Sequence, residues 1–142
     1  MKVIHCPLCN AALKVVYSGE KYTGWKKCQC GEPIYIIATE DGRCATESLK
    51  EILNNSRGNV VKMIEYLIKN GDERRIEDVI FVAGKGVEPT IHKLAELKVL
   101  DKIGYAYKIN AAFESYLSNY ANIKKTAERD IIEDFLNEQF SN

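Results

Sequence analysis

The chain has 142 residues, room for one ordinary domain or two small ones, and 46% hydrophobic with 28% charged residues excludes wholesale disorder. Lys plus Arg and Asp plus Glu each number 20, so no overall charge draws the chain to nucleic acid or to a membrane surface, and only local patches can do so. No apolar stretch nears the roughly twenty residues of a membrane-spanning helix, which excludes insertion: Ile34 to Ala38 and Val79 to Ala83 are far too short.

Met1 to Cys6 holds no apolar run of signal-peptide length, so the five cysteines predict a chain of the reducing cytoplasm rather than a disulfide framework. Four of them form two close pairs, Cys6-Pro7-Leu8-Cys9 and Cys28-Gln29-Cys30-Gly31. Four thiolates offered as two pairs can close one tetrahedral site around Zn2+. Between the pairs, Ala12 to Tyr17 is β-prone, Ser18-Gly19-Glu20 supplies a turn, and Tyr22 to Lys27 leads back, which predicts a hairpin with metal at its base. Pro33 to Ala38 reads as a third strand of the same small antiparallel sheet. Such a sheet buries too little to hold itself together, so the metal supplies much of its folding energy.

The second pair has one residue between its cysteines where the first has two, which leaves His5 and Cys44 open as substitute ligands. Iron also takes four thiolates, but nothing here resembles an electron-transfer surface, so zinc is preferred. A catalytic zinc needs an open position and a nearby base; a Cys-only set predicts a structural ion. Trp25, Tyr22 and Tyr35 are either the core of this small sheet or, with Lys26 and Lys27, a platform for stacking bases. Over residues 5 to 38 the Cys-Pro-x-Cys knuckle and its polar turn residue resemble the zinc-ribbon family, which implies a ribbon domain over residues 1–40.

Asp41-Gly42-Arg43 marks a junction, and Ser48 with Glu51 forms a capping box opening a short helix through Leu49, Ile52 and Leu53. Asn59 caps a second helix with Val60, Ile64, Leu67 and Ile68 on one face, stopping at Asn70-Gly71. Arg74 to Ala83 predicts a third, with Ile76, Val79, Ile80 and Ala83 inward, followed by a tight Gly84-Lys85-Gly86 turn. A fourth, from Glu88 to Lys98, turns Ile91, Leu94 and Leu97 inward and Pro89, His92, Lys93 and Glu96 outward. Val99 to Gly104 and Tyr105 to Ile109 then read as a hairpin.

Helix, glycine turn, helix and strand pair, with Val87-Glu88-Pro89-Thr90-Ile91-His92-Lys93-Leu94-Ala95-Glu96-Leu97 at the centre, make residues 59 to 110 similar to winged helix-turn-helix domains of bacterial and archaeal regulators. The domain so implied spans residues 46–110. The resemblance implies double-stranded DNA as partner, with Thr90 and the helix start on phosphate, His92 and Lys93 at base edges, and Lys85, Lys102 and Lys108 gripping the backbone. Glu88 and Glu96 on the same helix repel phosphate. Winged helices also serve as protein-binding modules, so an adaptor of the transcription or replication machinery is the competing reading. Ribbon plus winged helix is similar to the parts of archaeal general transcription factor E, in reverse order. Frequent Ile and Lys with only two Gln is a bias compatible with a thermophilic source.

Residues 111–142 carry six acidic against three basic residues and form a helical tail. Asn110 caps a helix bearing Phe113, Tyr116, Leu117 and Tyr120, and a second helix from Thr126 bears Ile131, Ile132, Phe135, Leu136 and Phe140. Those stripes either fold back on the winged helix or pair with a second copy, making Ile131, Ile132, Phe135 and Leu136 candidate dimerisation residues. Only two histidines are present, in separate modules, and no Gly-x-Ser-x-Gly, phosphate loop or His-Glu-x-x-His occurs, so no enzyme is expected. The expected fold class is α+β: a β zinc ribbon, then a mainly α winged helix-turn-helix with C-terminal helices.

Overall fold

A computed structural model describes residues 1–69 and 73–140, the last two by their backbone alone. The expected helix stop at Asn70-Gly71 and the Phe140 side chain lie outside what is described. The fold is mixed α+β, with five helices and eight strands in three small sheets among the described residues. The chain divides into two compact units, Met1–Asn55 and Ser56–Asn142.

In the first unit, strands β1 (Lys2–His5) and β2 (Ala12–Val16) form an antiparallel hairpin around the first cysteine pair. Strands β3 (Tyr22–Lys27), β4 (Pro33–Ala38) and β5 (Cys44–Ser48) form a second antiparallel sheet in that order. The strands expected at 12–17 and 22–27 are present, but they are not partners: each cysteine pair closes its own hairpin, β1–β2 or β3–β4. Alternation explains the shared core. Ile34, Ile36 and Ala38 point to one face of β4 and pack with Ile4, Leu13, Val16, Cys6 and Cys28. Asp41-Gly42-Arg43 is the turn of a hairpin rather than a junction, with Ala38 opposite Cys44. The unit therefore runs on beyond residue 40 and takes in the short helix α1 (Leu49–Asn54), whose Glu51 amide donates to Ser48 Oγ at 3.1 Å.

The second unit orders its elements as helix α2 (Val60–Lys69), strand β6 (Arg74–Arg75), helix α3 (Ile76–Ala83), a 3-10 turn (Lys85–Val87), helix α4 (Glu88–Glu96), strands β7 (Leu100–Ile103) and β8 (Ala106–Ile109), and helix α5 (Ala111–Phe140). Asn59 Oδ1 accepts from the Lys62 amide at 3.0 Å, the expected cap of α2. Arg74 and Arg75 pair with Tyr107 and Ala106, so β8 is the central strand of three, between β6 and β7. These two arginines belong to a strand because their amides face an open edge of β8, which a sequence reading cannot see. Val60, Met63, Ile64, Leu67, Val79, Ile91 and Leu94 make the core between the helices; Ile68, Ile76 and Ile80 are only half-buried.

The tail is one helix of 30 residues, not two. Nothing between Asn122 and Thr126 stops it, since the segment has neither Gly nor Pro and continues the helical ladder at little cost. Leu117, Tyr120 and Ala121 are buried, and the Lys125 ammonium bonds Glu65 of α2 at 3.2 Å. From Lys125 to Glu138 every residue is exposed. Among the described residues no helix is long and apolar enough to cross a membrane.

Candidate functional site

The two knuckles are variations on one closure. In the first, the Cys6 amide donates to the Ala11 carbonyl and the Asn10 amide to the Cys6 carbonyl, with Asn10 left-handed at φ +64. In the second, the Cys28 amide donates to the Glu32 carbonyl and the Gly31 amide to the Cys28 carbonyl, with Gly31 left-handed at φ +89. Every span is one residue shorter in the second knuckle, so a single intervening residue suffices to aim Cys28 and Cys30 at the same point. In each knuckle the first sulfur also accepts an amide two residues on: Leu8 to Cys6 at 3.4 Å, and Cys30 to Cys28.

Together the knuckles set Cys9 Sγ 3.3 Å from Cys28 Sγ and Cys6 Sγ 4.0 Å from Cys30 Sγ, and all four sulfurs lie within 4.8 Å of one another. Thiolates about 2.3 Å from a single tetrahedral ion stand about 3.8 Å apart, so the four fit one metal ion. Cys6 and Cys28 are buried and Cys9 and Cys30 exposed, which gives a site closed on its inner side and edged by solvent.

The electrostatics of the sulfurs differ. Burial pushes the Cys6 thiol up, but amides of Cys9 and Leu8 and the facing thiols outweigh it and hold Cys6 at about 7, against an ordinary 9.0. At Cys28 the Cys30 amide pulls down, yet burial and the neighbouring Cys9 and Cys6 thiols leave it raised. Cys30 is raised too: the Glu32 amide lowers it, while burial and the Cys28 and Cys6 thiols prevail. A cation resolves the crowding by replacing protons on sulfurs that otherwise compete.

Neither alternative ligand joins the cluster. His5 Nδ1 lies 3.1 Å from the Asn10 carbonyl oxygen, and Cys44 packs against the apolar core. Glu32 was not foreseen. It is 7% exposed and its carboxylate accepts the Lys50 amide at 2.7 Å, capping α1 from the knuckle that carries Cys30. No sequence signal links residues 18 apart in this way. Of the three aromatics, Tyr22 packs on the core under the Lys14 ammonium, at 4.5 Å from its ring centre, while Trp25 and Tyr35 pair edge-on at 5.2 Å. Cross-strand register puts these last two on the other face of the sheet from Ile34 and Ile36.

In the second unit, His92 and Lys93 are exposed on α4 as expected. His92 Nε2 lies 3.8 Å from Glu88 Oε1, and its ring meets Tyr107 edge-on at 6.4 Å. Thr90 is 7% exposed and belongs to the packed side of α4, so its hydroxyl is not on the face that His92 and Lys93 share. Lys85, Lys102 and Lys108 are exposed, but the last two stand on opposite faces of the β7–β8 hairpin. Lys102 lies opposite Tyr107, whose ring meets His92. Lys108 lies opposite Asp101 and lines a cleft of about 430 Å³ with Leu67, Ile68 and Glu114. The period-two alternation of strands makes a single grip by both lysines impossible. Ile131, Ile132, Phe135 and Leu136 are exposed on the projecting part of α5.

No protein family, curated protein or solved structure matches the chain.

Proposed function

We propose that the protein is a DNA-binding transcription regulator, reading duplex DNA with its second unit and held in shape in its first by a structural zinc ion. The observation that carries this is the order helix, strand, helix, helix, hairpin, with the first strand added beside β8. This is the wiring of a winged helix, in which the helix before the hairpin enters the major groove. That helix is α4, and the exposed groups on and beside it are His92, Lys93, Lys85 and Lys102. Lys93 and His92 are assigned to base edges, Lys85 and Lys102 to phosphates, with Thr90 and Lys108 removed from the contact set by their placement. Zinc is preferred for the metal because a tetrahedral set of four thiolates without carboxylate or imidazole is the ligand set of structural zinc sites.

Two observations favour a protein-binding adaptor instead: Phe81 on α3 is 92% exposed beside the exposed Val82, and the Glu88 carboxylate lies on the same face of α4 as His92, where it repels phosphate. Binding to duplex DNA, followed by fluorescence polarisation over a salt series, separates the two. DNA binding through Lys85, Lys93 and Lys102 predicts affinity falling steeply with salt, and Lys93→Glu weakening it on the order of tenfold or more at low salt. An adaptor predicts indifference to both.

A further inference from the structure

The outward stripe of α4 reads acid, imidazole, acid. Glu88, His92 and Glu96 follow one another at steps of four residues, so the ring sits one helical turn from a carboxylate in either direction. His92 Nε2 is 3.8 Å from Glu88 Oε1, and the His92 side chain is 56% exposed. The sheet faces it with the buried phenol of Tyr107, which meets the ring edge-on. Tyr107 is flanked across the strands by Lys102 on β7 and Arg74 on β6. The Arg74 guanidinium lies over the Tyr66 ring at 5.0 Å, so its charge is held on α2, while Lys102 is exposed.

We infer that a proton on His92 sets the affinity of this face for duplex DNA, so that the protein grips DNA on the acid side of neutrality and loosens on the alkaline side. This rests on the DNA-binding reading of α4. The balance of charge carries it. The ammonium groups of Lys85, Lys93 and Lys102 stand against the carboxylates of Glu88 and Glu96, three against two, so the face is only weakly positive while the ring is neutral. One proton doubles that excess. Imidazole is the side chain that ordinarily changes charge between about pH 5 and about pH 8, so within that range the change falls on His92. The proton acts in two ways: it offers the phosphates a further cation, and it offsets the Glu88 carboxylate that otherwise repels them. Phosphate favours the charged ring, so binding takes up a proton. Affinity therefore rises as pH falls and is lost as pH rises.

The test is fluorescence polarisation of the zinc-loaded full chain on a labelled random-sequence duplex, at about pH 8 and about pH 6, with equal zinc content at both. At low salt the affinity should be on the order of tenfold higher at the lower pH, and log K should fall with log salt more steeply by about 0.9, the increment of one phosphate contact. His92→Gln abolishes both changes. His5→Gln, at the other histidine of the chain and in the first unit, leaves them in place. Binding that Lys93→Glu and salt both weaken but that is equal at the two pH values overturns the inference and leaves the DNA-binding reading standing. So does a pH dependence that survives His92→Gln. Absence of binding at either pH overturns both.

Discussion

Gly58 and Gly86 touch backbone to backbone: a Cβ on Gly86 would stand 2.7 Å from the Gly58 amide nitrogen, and one on Gly58 would stand 2.5 Å from the Val87 nitrogen. The turn before α2 and the turn before α4 meet at these two residues, and neither can carry a side chain without moving main chain. The entry of α4 is thus fixed against the entry of α2, which sets the direction in which His92 and Lys93 are presented.

Gly86→Ala should therefore destabilise the second unit by about 2 kcal/mol or more, because its clash is with backbone that cannot rotate away. Gly24→Ala, where the nearest heavy atom to the new methyl is 3.6 Å away, should cost less. Thermal unfolding followed at the helix band for Gly86→Ala and by Trp25 emission for Gly24→Ala compares them, and equal losses would remove the close approach as the cause.

Trp25 is the only tryptophan and lies in the first unit. Chelation should shift its emission to the red as the knuckles open, while the ellipticity of α2 to α5 persists, because the helices of the second unit have a core without metal ligands. Cys→Ser at Cys6 or Cys28 should reproduce that state. Joint loss of helix and tryptophan signal would show that the second unit also depends on the ion.

Metal binding should grow more proton-linked as pH falls. Cys28 and Cys30 are held above the ordinary thiol value, so both release protons to the metal throughout the neutral range, and Cys6, held at about 7, adds a further proton increasingly as the pH falls through that value. Protons oppose the cation, so affinity drops with acid, and more steeply below about pH 7 than above. Calorimetry in buffers of different ionisation heat counts the released protons; a count that does not rise between about pH 8 and about pH 6 contradicts the assignment.

Glu32→Ala leaves the Lys50 amide without its acceptor and should cost about 1–2 kcal/mol in the first unit, read from Trp25 in denaturant. Glu32→Gln keeps an acceptor oxygen and should recover most of it. If Glu32→Ala behaves as wild type, the buried carboxylate has no part in holding α1 to the second knuckle.

Much of this was legible in residue order. The cysteine pairs, the strand runs 22–27 and 33–38, the Ser48, Asn59 and Asn110 caps and the inward set Ile91, Leu94 and Leu97 all follow from local chemistry. Partner choice was not: a short turn at Ser18-Gly19-Glu20 invites β2 and β3 to pair, whereas Val3 and Ile4, too few to read as a strand, take β2 first. Strand β5, Cys-Ala-Thr-Glu-Ser, has no apolar alternation and exists because β4 offers it an edge. Thr90 sits on the inner side of α4 because it precedes Ile91 and follows Val87 by three, a spacing that outweighs its hydroxyl. The cap by Glu32 and the contact of Gly58 with Gly86 join residues 18 and 28 apart, beyond the reach of any local pattern.

The most direct measurement is selection from random duplex DNA by the zinc-loaded protein at low and at physiological salt, read by sequencing. A DNA-reading α4 predicts an enriched motif that Lys93→Glu abolishes. No enrichment, with weak binding that vanishes at physiological salt, would contradict DNA recognition and leave the exposed Phe81 face as the place to look for a protein partner.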